Sequence, residues 1–258
     1  MIIYGRNPVA EALCGPREVQ RIWATERAAR VDWLRARDVL TSEVGGLKEL
    51  CGSAEHQGIC AEVGPFLYEE ADSLLADRNA LVLCLDEVQD PHNLGAAARV
   101  AEAAGVAGVV LPERRAADVT PAVCKASAGA VEHLRIARVR NLADWLERSK
   151  AGGVWIYGAD TGDAAIPYDR PDYGGRVVLV LGSEGRGLRP RVAATCDALI
   201  RLPQLGKVAS LNIATAASAL VYGVLLLRSA SAPPGAPSSN RLPSGVDRAS
   251  RRRDTRGR

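Results

Sequence analysis

The sequence predicts an α/β protein, with a largely parallel sheet carrying helices on both faces, a smaller α/β unit before it and a disordered tail after it. Three observations carry this. Apolar runs such as ALVLCLD (80–86) and RVVLVLG (176–182) are continuous rather than alternating, as in strands buried on both faces. From residue 80 such runs alternate with helical stretches, the rhythm of strand–helix–strand crossovers. From residue 229 the composition shifts to Pro, Ser, Gly and Arg with few large apolar residues, which cannot build a core.

Within residues 1–65, NPVAEAL reads as a helix, VQRIWAT as a strand, RVDWLRARDVL (30–40) as an amphipathic helix, and QGICAEVGP as a strand stopped by Gly-Pro. Residues 66–79 form a polar connector with one short helix. In residues 80–228, ALVLCLD leads to a helix over 94–104, the strand AGVVLP and a helical stretch near 121–130. HLRIARV, a helix over 141–149, VWIYGAD, RVVLVLG and ALIRLP follow, and SLNIATAASALVYGVLLLRS (210–229) closes the unit as a long helix. The predicted organisation is therefore a first domain over 1–65, a linker over 66–79, a main domain over 80–228 and a tail over 229–258.

The 258 residues, 47% apolar and 24% charged, suffice for a substantial core. The net charge of +3 is unevenly placed: residues 229–258 hold seven arginines and two aspartates, leaving residues 1–228 at −2. Nucleic-acid binding by the folded part therefore needs a local patch, whereas the tail has the composition of a phosphate binder. No run approaches the roughly 20 uninterrupted apolar residues of a membrane span. The start, MIIYGRNPVAEAL, lacks the layout of a secretory signal, so a cytoplasmic protein is expected. Six scattered cysteines without a C-x-x-C pair, and three histidines, predict reduced, buried thiols and no metal site.

Ligands in parallel sheets sit beyond the carboxyl ends of strands, which makes three loops the candidates for a site. In DEVQDPHNLG (86–95) Asn93 is placed as a helix N-cap whose neighbouring amides suit an anion. Arg99 follows within an alanine-rich helix. It either pairs with Glu102 on the surface or reaches towards an anion, with the alanines giving clearance for a substrate backbone. In LVLGSEGRGL (179–188) glycines at 182, 185 and 187 surround Ser183 and Glu184. The spacing fits neither a dinucleotide fingerprint nor a Walker loop, and the acid favours a neutral or cationic ligand over a polyphosphate. In IRLPQLGKVASLN (200–212) Gly206 and Lys207 precede Ser210, a second predicted N-cap.

Taken together, Asn93-x-Gly95-x-x-x-Arg99, Gly182-x-Glu184-x-x-Gly187-Leu188 and Pro203-x-x-Gly206-x-x-x-Ser210-Leu211-Asn212 resemble the SpoU-type RNA ribose 2′-O-methyltransferases of the SPOUT superfamily. IYGRNPVAEAL, HQGICAEV (56–63) and KASAGAVEHL (125–134) extend the likeness to the bacterial 23S rRNA guanosine-2′-O-methyltransferases. The resemblance implies a ribosomal-protein-like, RNA-binding first domain and a parallel-sheet SPOUT domain with a C-terminal trefoil knot. It implies S-adenosylmethionine held by backbone groups at Gly182, Leu202 and Leu211, the family often having isoleucine where Leu202 stands. It further implies a homodimer with the closing helix at its interface, RNA as substrate, and Arg99, Asn93, Glu184, Ser210 and Asn212 as the catalytic set. A sulfonium is cationic, which agrees with Glu184. Arg99 is expected to bind phosphate and orient the ribose, because a guanidinium with a pKa above about 12 rarely yields its proton. Within the class, a tRNA ribose methyltransferase or a resistance enzyme acting on rRNA is the alternative. Outside it, a non-catalytic ribosome-assembly factor is disfavoured by the presence of Arg99, Glu184 and Asn212.

Overall fold

The structure, a computed structural model, describes residues 1–207 and 210–231; the basic tail predicted from residue 229 lies outside the described residues from 232 onwards. The chain begins with β1 (Ile2–Tyr4), α1 (Arg6–Ala12), β2 (Val19–Ala24), α2 (Glu26–Ala29), β3 (Leu40–Thr41), α3 (Val44–Cys51) and β4 (Ile59–Val63). These strands form a four-stranded sheet in the order β1-β4-β2-β3. It is antiparallel except for the β2–β3 pair.

The helix predicted over 30–40 is not formed. Only a 3-10 turn at Asp32–Leu34 appears there, and the helices lie on either side, in α2 and α3. Leu34 is the one buried side chain of that stretch. A short helix without an apolar stripe against the core lacks the packing that stabilises most protein helices.

The main unit runs through β5 (Leu81–Leu85), α4 (Pro91–Ala103), β6 (Gly108–Pro112), α5 (Pro121–Ala126), β7 (Ile136–Val139) and α6 (Leu142–Ala151). It continues with β8 (Trp155–Ala159), β9 (Ile166–Pro167), β10 (Val177–Leu181), α7 (Pro190–Thr195), β11 (Ala198–Arg201) and α8 (Ile213–Ser231). The two-residue β9 and six-residue α7 were not predicted; neither is long enough to show a period. The predicted polar connector buries Ala71, Leu74 and Leu75 of a 3-10 turn, and its Asp72 accepts a hydrogen bond from Trp145 Nε1 at 2.8 Å. It is part of the main unit's packing.

The seven strands lie in the order β7-β6-β5-β10-β8-β11-β9, and each adjacent pair is parallel. Burial on both faces explains the continuous apolar runs. Leu81, Leu83 and Leu85 pack into one core with α4 and α8, while Val82 and Cys84 face another built on Trp145, Leu146 and Val192. The strand order reverses between β5 and β10, a topological switch point that opens a crevice at their carboxyl ends.

Helix α8 is 19 residues long with a mean hydropathy of 1.6, enough by length and composition to cross a membrane. Its Ile213, Ala217, Leu220, Val221 and Val224 are buried in the core, whereas Tyr222 and Leu226 are exposed.

Candidate active site

The loop after β5 enters α4 three residues earlier than predicted, and the cap is Asp90 rather than Asn93. Asp90 accepts from the His92 amide at 3.0 Å, with Pro91 at the first helical position. Asn93, released from capping, turns its side chain into the crevice. Its Nδ2 donates to Glu184 Oε1 at 3.0 Å, and its Oδ1 accepts from Asn212 Nδ2 at 2.8 Å.

Asn212 holds the junction with α8. It donates to Glu184 Oε1 at 2.7 Å, and its Oδ1 accepts from the amides of Ala214 at 2.9 Å and Thr215 at 3.4 Å. Asn212 is thus the cap that the sequence assigned to Ser210, which lies exposed two residues earlier. Glu184 Oε1 also accepts from the Ile213 amide at 3.3 Å. One carboxylate oxygen therefore ties all three loops together, and Oε2 has no partner among the described residues. Asn93, Glu184 and Ile213 line a cavity of about 300 Å³ with Glu87, Asp90, Ser183 and Arg186.

The second loop is folded tightly on itself. Gly187 N donates to Ser183 O at 2.9 Å, and a Cβ at Gly182 would overlap Gly187 C, Gly187 O and Leu188 N. No side chain fits at Gly182. The third loop starts at Leu202, which borders a second cavity of about 470 Å³ with Thr161, Tyr168, Asp169 and Gln204. Leu211 is exposed at the far end of that loop.

Sequence reasoning missed the anchor beneath these loops. Asp86, fully buried at the end of β5, accepts from Arg189 N at 3.0 Å and Arg189 Nε at 2.8 Å. This locks the β5 loop to the end of the β10 loop. Glu87 and Arg115, both at φ 61, pair at 3.1 Å. Two non-glycine residues in the left-handed region each cost about 1–3 kcal/mol, a strain typical of functional loops. The signal was an acid directly after a fully apolar strand, DE in LCLDE.

Arg99 stands apart from this cluster. It lies exposed on α4 and, among the described residues, forms no ion pair with Glu102, so the surface-pair reading fails. Of the helix alanines, Ala97, Ala98 and Ala101 are fully buried and serve the core, whereas Ala96 is half-buried and Ala103 exposed. Gly95 serves close packing, since a Cβ there would come within 2.5 Å of Ala126 Cβ and 3.0 Å of Val123 O. Burial raises the thiol pKa of Cys84, and no group of His, Cys, Asp and Glu suited to a metal occurs among the described residues.

Comparison with known proteins places this geometry. Residues 80–222 match the SpoU rRNA Methylase family, and residues 2–69 match a domain described as RNA 2′-O ribose methyltransferase substrate binding. A Bacillus subtilis (strain 168) protein provisionally named TrmH family tRNA/rRNA methyltransferase YacO is 39% identical over 86% of this chain and 94% of its own. An AdoMet-bound rRNA methyltransferase from Sinorhizobium meliloti is 26% identical with a TM-score of 0.74, covering 90% of this chain and 88% of that one. The SpoU methyltransferase AviRb from Streptomyces viridochromogenes, in complex with AdoMet, shares the fold at a TM-score of 0.75 and 24% identity, over 89% and 90% of the two chains. The match over both units, together with the three loops converging on Glu184, identifies the chain as a member of the SpoU rRNA methylase family of RNA methyltransferases.

Proposed function

We propose that the protein transfers a methyl group from S-adenosylmethionine to the ribose 2′-hydroxyl of a guanosine in 23S rRNA. The observation that carries this is the single carboxylate of Glu184 holding Asn93, Asn212 and the start of α8 beside the cavity at the switch point.

The residues fit the cofactor. The tight turn that Gly182 permits holds Glu184 at the crevice, Glu184 Oε2 has no partner among the described residues, and the cavity beside Leu202, separate from the one Glu184 lines, falls in the ~300–1,000 Å³ range of small-molecule sites. Backbone groups at Gly182, Leu202 and Leu211 hold the cofactor in this reading. When bound, it supplies an electrophilic methyl on a sulfonium.

The chain's own residues do the rest. Asn93, Ser210 and Asn212 position the ribose by hydrogen bonds, and Arg99 binds an adjacent phosphate and aims the hydroxyl along the line of transfer. The hydroxyl proton passes to a phosphate oxygen or water, because a guanidinium offers no lone pair to accept it. Residues 1–65 serve as the RNA-binding domain, joined through 66–79, which pack on the main unit, to 80–228, the catalytic domain, which we take to be threaded as a trefoil knot. The protein works as a homodimer through α8, whose Tyr222 and Leu226 remain 43% and 71% exposed.

The test is to incubate the protein with labelled S-adenosylmethionine and either total rRNA or total tRNA, then map ribose methylation. Transfer to a 23S guanosine is expected. Transfer to tRNA alone would refute the substrate, and no transfer with cofactor bound would refute the reaction.

A further inference from the structure

The motif KASAGAVEHL (125–134), which the catalytic crevice does not use, lies between the two units. On one side, Arg17 of the first unit is buried against Glu132: Nε donates to Oε2 at 2.7 Å, Nη2 donates to Oε1, and Nη1 donates to Gly64 O at 3.3 Å. The Arg17 guanidinium also lies over the Phe66 ring at 5.6 Å. Both side chains are almost wholly buried. Burial opposes the charge on Arg17, but the Glu132 carboxylate outweighs it and raises the pKa.

Further contacts cross the same seam. His133 Nε2 lies 2.9 Å from Glu11 Oε2, and Lys125 Nζ donates to Glu55 O at 2.9 Å. Two glycines let the surfaces meet closely. A Cβ at Gly15 would come 3.1 Å from Glu132 Cβ, and one at Gly129, where φ is +88, would come 2.7 Å from Glu11 Cβ.

On its other side the same segment meets α4. Gly95 abuts Ala126 Cβ, Ser127 N and Val123 O, and Arg99 stands one turn beyond Gly95. Close-packed elements of this kind shift together rather than deforming separately. A displacement of the first unit is therefore passed through α5 to the helix that carries Asn93 and Arg99.

We infer that the Arg17–Glu132 pair and the 125–134 segment form a rigid joint that sets the RNA held by the first unit in register with Arg99, making Arg17 and Glu132 positioning residues for methylation. This rests on the methyl-transfer reading above. A two-point guanidinium–carboxylate pair fixes direction as well as distance, which a hydrophobic contact does not.

Cys124 supplies a reporter. It is fully buried at the seam, where burial and the nearby Glu132 push its thiol up to about 12, so it reacts only when the joint opens. The experiment uses the full chain with S-adenosylmethionine and rRNA, well below the melting transition. Glu132→Gln should lower kcat about 100-fold, the cost of a misplacement near 1 Å. Affinities for S-adenosylmethionine and RNA should be unchanged, and Cys124 should become open to maleimide, read site by site by mass spectrometry. A lower Tm with unchanged kcat would overturn the inference, since it would make the pair merely structural.

If Glu132→Gln does not fold, the double variant Arg17→Met/Glu132→Leu, which leaves no buried charge unpaired, carries the same expectation and the same refutation. In the unaltered chain Cys124 should be labelled only at the rate of global unfolding; faster labelling would overturn the joint outright. Absence of RNA methylation by the unaltered chain would refute the proposed reaction instead, and the Cys124 measurement would still decide the joint.

Discussion

Replacing Gly182 with alanine adds one methyl group inside the tight loop that follows β10. The new Cβ would overlap Gly187 C, Gly187 O and Leu188 N, all backbone atoms, so the loop must retreat by about 1 Å merely to reach 3.0 Å. It has little freedom to do so. Gly187 N is bonded to Ser183 O, and a few residues on Arg189 is bound by its amide and guanidinium to the fully buried Asp86. Giving up the turn bond costs about 1 kcal/mol. Loosening Arg189 would begin to strand a buried carboxylate, a fault worth about 3–5 kcal/mol when complete. A loss of about 2–4 kcal/mol is therefore expected from urea unfolding, within the range of large single-site effects. Displacement of the loop also pulls Glu184 from Asn93 and Asn212, so affinity for S-adenosylmethionine in calorimetry should fall at least about tenfold, or 1.4 kcal/mol. Gly185→Ala is the control. Its site is open, and only its φ of +78 opposes a side chain, at about 1–2 kcal/mol. Wild-type stability and cofactor binding in Gly182→Ala would refute the account of this loop.

Arg99→Ala should nearly abolish transfer to RNA, leaving cofactor affinity intact and stability within about 0.5 kcal/mol, because Arg99 is exposed and unpaired with Glu102; a clear loss of stability in thermal melts would contradict this. Asn212→Ala removes the cap of α8 and should cost about 1 kcal/mol in denaturant titration; Asn212→Asp keeps a capping oxygen but replaces the donor to Glu184 with a second carboxylate, so it should not recover the loss, and full recovery would contradict the Asn212–Glu184 bond. Ser210→Ala should cost far less. Stability should be level below about pH 9 and then fall towards pH 12: Cys124 stays protonated in the fold up to about 12, whereas the unfolded thiol ionises near 9.0. Each such thiol contributes up to about 1.4 kcal/mol per pH unit across that window, so denaturation midpoints that stay flat between pH 9 and 11 would count against it. Deleting residues 232–258, with their seven arginines, should flatten the salt dependence of RNA binding by about 0.7 log units per lost phosphate contact.

Much of the architecture was legible because its signals are local. LVLCL and VVLVL are buried on both faces and say so in their composition; the glycine spacing around Glu184 and the alanines of α4 are equally plain. The errors fell where a residue's task depends on a distant partner. Asn93 and Ser210 were sound caps by local chemistry, yet Asp90 and Asn212 cap the helices, because Asn93 is drawn to a carboxylate 91 positions away. The helix expected over 30–40 has charge and apolar residues at suitable intervals, but the fold offers it no surface to cover.

By itself, the sequence determined the alternation of the main strands and helices from residue 80, the three loops and the family resemblance, since these depend on residue type at short spacing. Only the tertiary structure decided which atoms meet. The insertion of β10 beside β5 brings Arg189 to Asp86 and Glu184 to Asn93, and docking of the first unit buries Arg17 against Glu132, 115 positions away. Periodicity reports which face of an element is apolar. It does not report what the fold will place against that face, and in this protein the crevice around Glu184 and the Arg17–Glu132 contact are both made of such meetings.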